Sequence, residues 1–171
     1  MSEGLFQKLL FFLILLLSQV LVLNRIHLFD SATPMLYVYF MLFFRRNYSR
    51  AGILLWGFFI GLCADIFSNT PGLTSASMTL LGLLQPYIFA FFIQRDSPED
   101  LKPSIKTMGV SKFSYYTIIM VLIFCTVFVT IETFNFFNWL QWLASIGGST
   151  AITVAIILVI ENLHNKERQQ Q

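Results

Sequence analysis

A chain of 171 residues in which 56% are hydrophobic and 12% charged stands apart from soluble globular domains, where about a quarter of residues are charged. Nineteen phenylalanines exceed what a soluble core of this size encloses, whereas lipid solvates any number, so the composition is that of an integral membrane protein built as one bundle. A net charge of +2, carried by basic residues dispersed among connectors, excludes a nucleic-acid surface.

The first apolar run, residues 5–23, is interrupted by Lys8, Ser18 and Gln19. At ~1.5 Å per residue it crosses a ~30 Å hydrocarbon layer. Its length, and the absence of small residues at its far end, argue against a cleaved signal peptide. Gln19 reads equally as a polar contact to another helix or as an interfacial residue.

After a polar connector holding Arg25, His27 and Asp30, Pro34–Phe44 supplies eleven apolar residues, a length of roughly 16 Å as a helix. A second span over about 28–44 is therefore expected either to open irregularly where protein shields it or to sit in a thinned bilayer. Pro34 suits a first helical turn, where its missing N–H costs nothing.

Spans over 51–68 and 72–93 are joined by Asn69, Thr70 and Pro71 alone, which forces a tight antiparallel hairpin. Ser68, Asn69 or Thr70 is available to cap its second arm. Gly57, Gly61 and Asp65 recur every four residues and share one face of the first arm, a face suited to protein contact. In the second arm Pro86 withholds the N–H that would bond the carbonyl of Gly82 and predicts a kink. Gln85 is placed to satisfy a backbone group that the kink frees.

A hydrophilic loop over 94–112 follows, either simply solvated or opening a short helix capped by Ser97. Spans over 113–131 and 138–160 complete a single domain of six transmembrane helices. Trp139 and Trp142 suit an interfacial belt, and Ser145, Gly147, Gly148, Ser149 and Thr150 suit close helix packing. From Glu161 onward a short polar tail is expected. If all six segments cross, one side receives Lys8, Arg45, Arg46, Arg50, Arg95, Lys102, Lys106, Lys112, Lys166 and Arg168, and the other Arg25 alone. The positive-inside rule then places both termini in the cytoplasm. A five-span chain with an outer N-terminus scores the same, so charge does not separate the two.

Few residues suit chemistry. His27 and His164 fall at opposite ends, which precludes a histidine metal pair or a nucleophile–base couple. Cys63 and Cys125 lack CxxC spacing and read as small buried hydrophobes. Asp65 is a lone carboxylate where paired-acid chemistry needs two, and no glycine loop precedes a lysine to cradle phosphate. No catalytic, cofactor or metal site is expected.

About 21 Å along its helix, Asp65 should approach the outer interface. It either holds the 68–72 turn through its N–H groups or contacts another helix or subunit; a relay would need a second deep charge, and none is evident. The candidate helix-packing or partner interface is Gly57, Gly61, Asp65, Asn69, Pro71, Gly72, Gln85 and Pro86, with Gln19 as a polar contact in the first span.

Taken together, Ser18–Phe29 followed by Pro34–Phe40, Gly57-xxx-Gly61-xxx-Asp65-Ile66-Phe67-Ser68 with Pro71-Gly72-Leu73, and Leu84-Gln85-Pro86-Tyr87 resemble the rod shape-determining MreD family over nearly the whole chain. Gln85 departs from the basic residue that many members carry before the proline. The resemblance implies a multi-pass protein of the bacterial inner membrane. It also implies a role in cell shape and sidewall peptidoglycan synthesis within the elongation complex, beside MreC, RodA, an elongation-class penicillin-binding protein and MreB. A six-helix fold similar to the substrate-binding subunits of energy-coupling-factor transporters is implied too. The alternative is a solute-binding subunit of such a transporter, which the very short outer loops disfavour. On the first reading the hairpin docks a partner, and Asp65→Asn should keep the fold but weaken partner capture.

Overall fold

The computed structural model describes residues 35–93, 101–133 and 139–167, together with Leu10, Ile14 and Leu17, which are helical and exposed. Gln19, Pro34 and the expected cap at Ser97 lie outside the described residues, as does most of the first span. The described residues form six helices: α1 (Val38–Leu42), α2 (Arg50–Ser68), α3 (Leu73–Phe92), α4 (Ile105–Met108), α5 (Val110–Thr133) and α6 (Trp139–Glu167). Four of these, α2, α3, α5 and α6, are long and apolar enough to cross a membrane. They pack in order, α2 on α3, α3 on α5 and α5 on α6, with α1 set against α3 and α5.

The starts of these helices follow from local chemistry. The Ser49 hydroxyl accepts from the N–H of Gly52 at 3.3 Å and caps α2. Ser104 and Thr107 cap α4 reciprocally, so a short helix of the hydrophilic loop begins at Ile105. Gly109, at φ +82°, then turns the chain sharply into α5. Outward faces carry large apolar side chains such as Phe58, Phe59, Ile66, Phe67, Leu83 and Leu140, as lipid-facing helices do.

The expected second span differs. Among residues 35–44 only five are helical, and every residue from Met35 to Leu42 is buried in the core. A segment wrapped by protein on all sides need not satisfy its own backbone, because its neighbours can. Here Thr153 Oγ1 accepts from the N–H of Met35 at 3.1 Å, and Gln85 Nε2 donates to the carbonyl of Phe44 at 3.3 Å. The irregular opening expected near Leu28 lies outside the described residues, while residues 35–44 form a buried core strap and not a spanning helix. Its aromatic side chains lock into the bundle, Tyr37 edge-on to Phe124 with ring centroids 5.6 Å apart and Phe40 against Trp56 at the same distance.

A second difference is at the C-terminal end. The helix does not give way to a polar tail at Glu161: α6 continues to Glu167, and Glu161 is only 4% exposed.

Candidate functional site

The hairpin of α2 and α3 is organised by one carboxylate. α2 ends at Asn69, whose φ of 56° is the left-handed conformation asparagine tolerates, and its N–H bonds the carbonyl of Asp65. α3 begins after Gly72, also left-handed at φ 84°, which has no side chain to serve as a cap. Asp65 supplies the missing acceptors across the turn. Its Oδ1 accepts from the N–H of Thr74 at 2.8 Å and the hydroxyl of Thr70 at 3.1 Å, while Oδ2 accepts from the N–H of Ser75 at 2.9 Å and from the Ser75 hydroxyl. The carboxylate also meets the positive end of the α3 dipole. The N–H groups it holds belong to α3, while the Thr70 hydroxyl belongs to the 68–72 turn, so Asp65 both fastens the turn and contacts another helix. The N-cap position of the second arm falls to Gly72 and not to Ser68, Asn69 or Thr70. Pro71 and Gly72 are exposed at the turn.

Below this cap the glycines allow backbone contact. A Cβ on Gly61 would lie 2.3 Å from Ser75 Cα, and one on Gly57 would lie 2.9 Å from the carbonyl oxygen of Met78. Gly82 faces Ile53 in turn, and the Arg50 guanidinium donates to Tyr87 Oη at 3.1 Å. The glycine face is thus consumed inside the chain as helix packing, and Gly57, Gly61, Asp65 and Gln85 are all buried. It does not point outward as a docking face would.

α3 continues through Pro86 to Phe92. Gln85 does satisfy a backbone carbonyl, but that of Phe44 in the strap, in place of the one freed at Gly82, and it also lies 3.3 Å from Tyr116 Oη.

Sequence reasoning missed one site. Glu161 Oε2 accepts from Tyr39 Oη at 2.7 Å, so a carboxylate at the end of α6 grips the strap eight residues beyond Thr153. The signal was present: Ile146, Ser149, Thr150, Thr153, Val154 and Ile157 form a buried helical stripe, and Glu161 continues its spacing. Trp142 Nε1 and Thr150 Oγ1 are buried without a hydrogen-bond partner. Cys63 and Cys125 are both free, and among the described residues no three His, Cys, Asp or Glu side chains gather to hold a metal.

These features define the class: an all-helical bundle, with helices fit to cross a membrane, whose buried polar groups tie one element to the next. No family model, curated protein or solved structure matches the chain.

Proposed function

We propose that this chain is a non-catalytic membrane scaffold of the MreD kind, a subunit of the bacterial cell-wall elongation complex that contacts MreC and the peptidoglycan synthase. The observation that carries the reading is the use made of the buried polar side chains. Asp65 joins α2 to α3, Gln85 joins α3 to the strap, and Glu161 and Thr153 join the strap to α6. Such groups stiffen a bundle and leave the outer face to partners and lipid. The order and spacing of the sequence motifs supply the particular family. On this reading the chain sits in the inner membrane with both termini cytoplasmic; the asymmetry of its basic residues supports the cytoplasmic C-terminus.

The solute-binding alternative draws on the unpartnered Trp142 Nε1 and Thr150 Oγ1, two polar atoms that a ligand could engage. Affinity purification of the tagged full chain from bacterial membranes separates the two. Recovery of MreC and the synthase supports the scaffold; recovery of an ATPase module without cell-wall proteins supports the transporter subunit and defeats the scaffold.

A further inference from the structure

Under the membrane reading, one end of the bundle has the chemistry of a headgroup-binding rim. The stretch from Leu101 through α4 is amphipathic: Pro103 and Ile105 are buried, and Leu101 and Met108 pack on the core, while Lys102, Lys106 and Thr107 are exposed. The capping box fixes this segment, and Gly109 turns it into α5, whose first turns expose Lys112. Arg46 N–H bonds the carbonyl of Leu101 at 3.3 Å, which sets the exposed Arg45 and Arg46 beside Lys102. Arg50 is held at the same end by Tyr87, through the hydrogen bond and with its guanidinium carbon 5.2 Å from the ring centroid.

We propose that this rim binds anionic phospholipid headgroups, with lipid phosphates held at Lys106 and Lys112. Lys106 and Lys112 carry the inference; Arg45, Arg46 and Lys102, which make further contacts of their own, strengthen the local positive field. Lipid is favoured over an acidic soluble protein because large apolar side chains are exposed at the same level. Phe91 is 89% exposed and Val110 and Tyr115 are each 63% exposed, and Tyr115 follows Lys112 by less than one turn. An occupant that covers both kinds of side chain needs an anionic head joined to a hydrocarbon tail.

The test uses the full chain in nanodiscs of phosphatidylcholine containing a minority of phosphatidylglycerol, with retained lipids identified by mass spectrometry of the intact complex. Phosphatidylglycerol should be retained over phosphatidylcholine. The triple substitution Lys102→Gln, Lys106→Gln, Lys112→Gln should weaken that retention on the order of a hundredfold, at roughly fivefold per lysine near an anionic surface. The corresponding triple substitution to Arg should preserve it. Equal retention of both lipids, an unchanged Gln triple, or equal loss in the Gln and Arg triples would overturn the proposal. So would displacement of the lipid by a soluble polyglutamate peptide, which would assign the rim to an acidic protein. The membrane reading itself fails separately, and earlier, if the chain washes off bacterial membranes at high pH.

Discussion

Asp65 near the end of α2 accepts both the backbone N–H and the hydroxyl of Ser75 in the first turn of α3, so one side chain closes the hairpin that its own backbone carbonyl terminates. Asp65→Asn replaces one acceptor oxygen with a donor and leaves the buried N–H of Thr74 or of Ser75 unpaired. That should cost about 1–3 kcal/mol. The loss will be visible as a lower midpoint of thermal unfolding in detergent. The sequence led to a different expectation, that Asp65→Asn would spare the fold and weaken partner capture. With Asp65 buried inside the hairpin, any partner effect should follow the loss of stability, and reduced capture at unchanged stability would contradict this role.

The glycines predict a graded series. Gly61→Ala drives a Cβ into the backbone of Ser75, which cannot move without separating α2 from α3, and should cost ~1–3 kcal/mol or more. Gly57→Ala should be milder, because its nearest neighbour, Met41 Cε at 2.7 Å, is the end of a flexible side chain, although the Met78 carbonyl oxygen at 2.9 Å still resists. Gly147→Ala meets nothing within 4 Å and should be neutral or stabilising by roughly 0.5–1 kcal/mol from helix propensity. Unfolding midpoints ranked in any other order would contradict the packing described.

Gln85→Leu predicts a local effect. It keeps the side-chain volume near that of Gln but removes the donor to the Phe44 carbonyl, which lies outside any regular helix. Hydrogen exchange should rise in residues 43–49 more than in α5, even though Tyr116 on α5 loses the same neighbour. Equal protection in wild type and variant would show that the strap does not depend on Gln85.

Legibility followed the number of separate clues that agreed. The hairpin was readable because a three-residue connector leaves one topology and a four-residue glycine spacing names the contact face. Three of the four long helices, α2, α3 and α5, begin and end within a few residues of their expected limits, since unbroken apolar runs fix length better than pairing. What sequence could not supply was which elements the polar groups reach. Asp65 was expected to hold the turn or to contact another helix and does both, through Thr70 and through Thr74 and Ser75. Gln85 was expected to serve its own helix and Glu161 to open a polar tail, yet each bonds the strap far along the chain. Such pairings depend on packing among helices, which local pattern does not encode. The strap was ambiguous for the same reason: Met35–Phe44 is too short to span as a helix, and only its surroundings show that Thr153 and Gln85 meet its backbone.

The Tyr39–Glu161 pair offers the sharpest test of the strap. Tyr39→Phe removes the donor placed on Glu161 among the described residues, and Glu161→Gln retains an acceptor without charge, so the two single substitutions act on one bond from opposite sides. If Tyr39 Oη and Glu161 interact as described, the double substitution should cost less than the sum of the singles. The coupling should be about 0.6–1.7 kcal/mol, the range for hydrogen bonds between membrane helices. Because Glu161 is buried, Glu161→Ala should be worse than Glu161→Gln: it removes the acceptor that Tyr39 Oη has on α6 and opens space beside Tyr39. Additive single and double effects on the unfolding midpoint would mean that Glu161 does not hold the strap. α6 would then anchor only the start of the strap, and its last turns would be free to move against α1.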